Sequence, residues 1–171
     1  LLNKEERSFI TLHMLTNILD EVSDINNDFK ITLWVYPHFK HNLFNDIKKK
    51  YKMNIKQQKG SSLCERMNNC LLLESSKHEK TILIGSDIPS LTKGTIMNAK
   101  HALLKKDVVI GPSIDGGFYL IGIKGQYKDF IDCMKTMDIQ NVKNNIRSHS
   151  LDLELLTELK DIDKPEDLLV I

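Results

Sequence analysis

An α/β fold, a three-layer α/β/α sandwich around a mostly parallel sheet, is what the sequence predicts. Three observations lead there. Amphipathic stretches with apolar residues at three- and four-residue spacing alternate along the chain with short apolar runs. Two of those runs, Thr81-Ile82-Leu83-Ile84 and Val108-Val109-Ile110, end directly in glycine-led loops that carry an aspartate, Gly85-Ser86-Asp87-Ile88-Pro89 and Gly111-Pro112-Ser113-Ile114-Asp115-Gly116-Gly117. No internal repeat or low-complexity linker divides the 171 residues, a length suited to one domain over residues 1–171.

The elements follow in order. Phe9, Leu12, Leu15, Leu19 and Val22 recur at helical spacing and predict a first helix over residues 3–22 with those side chains inward. Ile31, Leu33 and Val35 alternate in a strand that ends at Pro37. A helix over 40–50 buries Leu43, Phe44 and Ile47, and a short strand is expected near 53–56. Ser62-Leu63-Cys64-Glu65 has the S-x-x-E form of a capping box, opening a helix with Leu63, Met67 and Leu71 on one face. After strand 81–84 comes a helix over 92–105 with Ile96, Ala99 and Leu103 inward, then strands 108–110 and 118–123. Helices near 127–134 and 139–146 and a strand around 151–156 complete the pattern.

Composition narrows the function classes. With a net charge of +1 and a single compact basic run, Lys48-Lys49-Lys50, the chain has no field to gather nucleic acid or an anionic membrane. Cys64, Cys70 and Cys133 form no C-x-x-C pair, so neither a disulfide framework nor a zinc site is expected. No apolar stretch reaches the length of a membrane span, and a cytoplasmic protein is the expectation. There is no Walker A loop, no G-x-G-x-x-G and no Ser-His-Asp order.

The chemistry resides in the strand-end loops. Ligands in open α/β sheets bind beyond the carboxyl ends of the strands. A carboxylate there suits Mg²⁺ or Mn²⁺, which prefer oxygen ligands and take one or two carboxylates plus substrate phosphates. Asp87 has an equal alternative as a cap on the turn that follows it. Asp115-Gly116-Gly117 reads either as a tight turn or as a backbone that approaches a ligand closely. Asp163-Lys164-Pro165-Glu166 fits a helix start, with Asp163 as N-cap and Glu166 at the third position.

Taken together, Gly85-Ser86-Asp87-Ile88-Pro89-Ser90-Leu91, the run from Asp107 to Gly122, and Asp161-Ile162-Asp163-Lys164-Pro165-Glu166-Asp167-Leu168 resemble a family of small bacterial proteins. The family is glycosyltransferase-A-like and belongs to the nucleotide-diphospho-sugar transferase superfamily. It was long catalogued as a domain of unknown function, and some members are named arsenosugar-biosynthesis glycosyltransferases. Gln58-Lys59-Gly60 and Leu63-Cys64-Glu65-Arg66-Met67 resemble its Q-x-G and L-G-E-R-M elements, with Cys64 in place of the glycine.

The resemblance implies a glycosyltransferase-A fold and a nucleotide-sugar donor with Mg²⁺ or Mn²⁺. It implies Asp87 and Asp163 as metal ligands and Asp115 as the catalytic residue. Gly60, Glu65, Arg66, Ser86, Gly116 and Gly117 are expected around the bound nucleotide. A small-molecule acceptor and a possible homo-oligomer are expected as partners. Nucleotidyl transfer with release of pyrophosphate, as in the similar guanylyltransferases, is the alternative, and a non-catalytic relative is a third. In the family a strand and a basic glycine loop precede the first helix, so the resemblance implies a chain lacking that first strand.

Overall fold

The deepest residues of the molecule lie on two adjacent strands. In the computed structural model, which describes residues 2–25, 27–126 and 138–170, Val108, Val109, Ile110, Leu120, Ile121 and Ile123 are fully buried. They belong to β4 (Val108–Pro112) and β5 (Phe118–Lys124). Both strands are near-continuous apolar runs rather than alternating ones, as expected where a sheet is covered on both faces. β5 pairs antiparallel with β4 and with β3 (Lys80–Ile84), and β6 (Leu153–Leu155) pairs parallel with β4. The order is β3-β5-β4-β6, with β5 alone reversed. A separate parallel pair joins β1 (Thr32–Val35) to β2 (Asn54–Gln57).

Helices cover both faces, so the three-layer sandwich is present. On one side α1 (Lys4–Ser23), α2 (Asn42–Tyr51) and α4 (Lys93–Ala102) supply Ile18, Leu19, Val22, Ile47, Ile96 and Ala99 to a core that reaches both sheets, through Leu33 and Ile55 on one and Val109 and Leu120 on the other. On the opposite side α3 (Leu63–Ser75) and α5 (Ile139–Ser148) pack Leu71, Val142 and Ile146 against Val108, Ile110, Ile121 and Ile123. The segment ends in a 3-10 helix, Pro165–Val170. Neighbouring positions along β4 thus serve opposite cores, Val109 one and Val108 and Ile110 the other. Each fully buried aliphatic side chain contributes about 1.5–3 kcal/mol.

Two expectations change. Phe9 is 72% exposed and Leu12 is 36% exposed. The inward stripe of α1 begins only near Leu15, because the first half of a 20-residue helix extends past the sheet it packs on. Leu63, at the start of α3, is likewise 51% exposed. The helix expected at 127–134 falls outside the described residues.

Candidate active site at the carboxyl rim of the sheet

β3, β4 and β6 run in the same direction, so the loops leaving their carboxyl ends share one rim. Backbone hydrogen bonds tie three of these loops together. The Ile162 N–H donates to the Asp87 carbonyl at 3.0 Å, joining the loop after β3 to the segment after β6. The Leu159 N–H donates to the Pro112 carbonyl and the Ile114 N–H to the Leu159 carbonyl, each at 3.1 Å, joining that segment to the loop after β4. The buried Tyr119 ring fits over Gly111 and donates its hydroxyl to the Thr157 carbonyl at 2.9 Å.

Three carboxylates converge on this frame. Asp115, Asp161 and Asp163 each offer one oxygen, and those oxygens lie within 4.8 Å of one another. They are held differently. Ser113 Oγ donates to Asp115 Oδ1 at 2.6 Å and the Gly117 N–H donates to the same oxygen at 2.9 Å. The Ser113 bond first, then the Gly117 bond, keep the Asp115 carboxyl below the usual range. Asp161 is pushed up by burial first and then by the charges of Asp115 and Asp163. Asp87 lies outside the group of three yet feels it. Burial raises its carboxyl, and Asp163, Asp161 and Asp115 raise it further. Asp87 and Asp161, both raised by burial and by the acids around them, stand where a divalent cation would relieve the crowding of negative charge.

The sequence-based expectations sort as follows. Asp163 and Asp115 come together, and Asp161, treated above only as part of the same acidic run, joins them. Asp87 stands beside the group. Asp163 does not cap with Glu166; Asp167 reaches back instead, its Oδ2 accepting from the N–H groups of Asp163 at 3.3 Å and Lys164 at 2.9 Å. The Asp-Gly-Gly turn divides its work between two glycines. Gly116 takes φ +93° in open space, whereas a Cβ at Gly117 would stand 3.1 Å from Ser113 Oγ and 3.2 Å from Asp115 Oδ1. Ser86 is exposed on the loop after β3.

The remaining expected residues lie past the end of β2, Gly60 in the loop and Glu65 and Arg66 in the first turn of α3. Gly60 has φ +135°, and a Cβ there would meet the Glu65 Cβ at 2.7 Å. Ser62 caps α3 by accepting from the Glu65 N–H at 3.2 Å. The Glu65 carboxylate, however, turns to Ser61, accepting from its N–H and hydroxyl at 2.7 and 2.6 Å, so the capping box is only half formed. The Arg66 guanidinium lies 4.1 Å from the centre of the exposed Tyr36 ring and donates through Nε to Gln58 Oε1 at 3.1 Å. Gln58 is in turn anchored through its Nε2 to the Trp34 carbonyl at 3.1 Å.

This architecture is that of the nucleotide-diphospho-sugar transferases. The chain superposes on a protein of Desulfovibrio desulfuricans G20 described as a "putative nucleotide-diphospho-sugar transferase", with a TM-score of 0.82 and 25% identity, covering 95% of this chain and 72% of that one. It is similar in fold to a 4-diphosphocytidyl-2C-methyl-D-erythritol synthase of Anaerococcus prevotii DSM 20548, with a TM-score of 0.70 and 13% identity over 92% and 86% of the two chains. A cytidylyltransferase of Leptospira borgpetersenii shares the fold at a TM-score of 0.57 and 9% identity, over 91% and 72%. Residues 22–139 match the profile described as "Uncharacterized protein conserved in bacteria (DUF2064)", and the chain belongs to that family. Comparison with curated protein sequences gave no match. Among the described residues no helix is long and apolar enough to cross a membrane.

Proposed function

We propose that the protein is a metal-dependent transferase that takes a nucleotide-diphospho-sugar donor and glycosylates a small acceptor. The observation that carries this reading is the convergence of Asp115, Asp161 and Asp163 on the rim where the loops after β3, β4 and β6 meet. Three carboxylate oxygens with no nitrogen or sulfur ligand among them suit Mg²⁺ or Mn²⁺ better than zinc, whose sites usually include His or Cys. A cation of this kind supplies neutralisation of the charge that develops on a departing diphosphate.

On this reading Asp161 and Asp163 hold the cation. Asp115 is the catalytic carboxylate that faces both the cation and the reacting centre, and Asp87 is a flanking ligand that ionises fully once the cation is present. Gly116, Gly117 and Ser86 border the phosphates. Gly60, Glu65 and Arg66 belong to the nucleotide side. Arg66 brings a cation and Tyr36 beside it an exposed aromatic face. Glu65 acts there by shaping the Ser61 loop rather than by touching ligand.

The nucleotidyltransferases among the structural neighbours favour a second reading, transfer of a nucleotidyl group from a nucleoside triphosphate with loss of pyrophosphate. Product analysis separates the two. The full protein is incubated with Mn²⁺, a pool of small hydroxyl and phosphate acceptors, and either a panel of UDP-, GDP- and CDP-sugars or the nucleoside triphosphates. Release of nucleoside diphosphate, abolished by Asp161→Asn and Asp163→Asn, is the expected result. Pyrophosphate release alone selects the second reading, and calorimetry showing no binding of any nucleotide sugar or nucleotide with Mn²⁺ refutes both.

A further inference from the structure

Ser113 is one of only two buried polar residues among those described, 2% exposed beneath the acidic rim. A buried hydroxyl needs a partner, and this one has a charged partner, Asp115 Oδ1 at 2.6 Å. Its place is set by backbone on several sides. The Ser113 N–H donates to the Gly117 carbonyl and its own carbonyl accepts from the Gly116 N–H, each at 3.1 Å, while Ser113 bridges to Leu159 of the segment leading to Asp161.

Lone-pair arithmetic gives this arrangement a consequence. A carboxylate has about four acceptor sites, roughly two on each oxygen. On Asp115 Oδ1 both are taken, by Ser113 Oγ and by the Gly117 N–H. No other described residue donates to Oδ2. We infer that Ser113 is a positioning residue that locks the Asp115 carboxylate in one rotation, leaving Oδ2 as the single oxygen it presents to a divalent cation shared with Asp161 and Asp163. The inference rests on the metal-dependent reading above. It also accounts for the second glycine of the turn, since a side chain at 117 would press on the atoms of this lock, Ser113 Oγ and Asp115 Oδ1.

A group that orients a metal ligand typically contributes 10- to 100-fold to metal affinity. Mn²⁺ binding to the full protein, followed by loss of the free-ion electron paramagnetic resonance signal, reads this without any assay of activity. Ser113→Ala is expected to weaken Mn²⁺ binding by about 10-fold or more. Ser113→Thr and Ser113→Val form a second, isosteric pair in which only the hydroxyl differs, and this pair decides the matter should the alanine variant fail to fold. The threonine variant is expected to bind within about threefold of wild type and the valine variant to resemble alanine. Wild type binding Mn²⁺ with threonine and valine variants alike overturns the inference and leaves the metal-dependent reading standing. Wild type binding no Mn²⁺, alone or with nucleotide, overturns both.

Discussion

The two sheets of this molecule are built to different standards. In the four-stranded sheet β4 and β5 are buried on both faces, and Val108 to Ile110 and Leu120, Ile121 and Ile123 are all at 0% exposure. In the two-stranded sheet each strand has four residues, and only Val35 of the eight is buried. An isolated pair of strands is marginal, so β1 and β2 depend on the helices that reach across to them. The contacts include Ile47 and Tyr51 of α2 and the Lys56–Glu74 ion pair to α3, with the Lys56 ammonium also over Trp34. Among the described residues β1 and β3 each have one unpaired edge, although both are apolar runs of the kind usually shielded. The acids that would hold a cation lie in the loops at the rim of the more deeply buried sheet. The Gln58–Arg66–Tyr36 group lies beside the weaker one, with Tyr36 and Gln58 just past the ends of β1 and β2 and Arg66 reaching them from α3.

The largest test of this contrast is a pair of truncations. Ile121→Ala should cost about 3–5 kcal/mol in urea unfolding and Leu33→Ala about 1–2 kcal/mol, with β1 and β2 amides exchanging before those of β4 and β5. Equal costs would break the comparison. Next comes Gly111→Ala, whose Cβ would stand 2.3 Å from the Tyr119 ring. Overpacking here should cost about 1–3 kcal/mol. It should also weaken Mn²⁺ binding, because Tyr119 can no longer reach Thr157 and the segment that carries Asp161 and Asp163 loosens. Unchanged Mn²⁺ affinity in a folded variant would show that the Tyr119 strut does not set the site.

Arg66→Ala should lower nucleotide affinity while changing stability by only about 0.5–1 kcal/mol, since the guanidinium–ring contact it removes is half exposed. The smallest effect has the opposite sign. Asp87 is raised in the folded protein, so its charged form opposes folding. That cost is absent below the ordinary carboxylate range and grows as pH rises through the folded value. Metal-free Asp87→Asn should therefore melt above wild type at pH 7, with the gap closing toward pH 4. A scanning calorimeter reads it, at about 2–4 °C per kcal/mol for a chain of this size. A lower melting temperature at pH 7 would mean that the buried carboxylate has a stabilising partner.

Most of the element order was legible because it follows from period. The 3.6-residue stripe of α4 through Ile96 and Ala99 and the apolar run of β5 are local signals that survive in the fold. The N-cap residues Asn3, Ser62 and Thr92 act as caps because the bond from side chain to N–H spans only two or three residues. Phe9 and Leu12 misled because a stripe records which face is apolar and not how far the neighbouring layer extends. Glu65 and Asp163 misled because a capping box requires a side chain to turn toward its own helix, and Ser61 and Asp167 offered the backbone and carboxylate other partners.

The sequence by itself determined that an α/β chain would end its strands in aspartate-bearing loops, since apolar runs and glycine turns are encoded within a few residues of one another. Only the tertiary structure decided which aspartates meet. Asp115 and Asp161 are 46 positions apart, and their encounter depends on β6 pairing parallel to β4 and on single hydrogen bonds such as Ile162 N–H to Asp87. Likewise the role of Ser113 is invisible in a string of letters. A serine in a turn becomes a fixed donor only when strands and loops bury it, because burial removes water as the alternative partner.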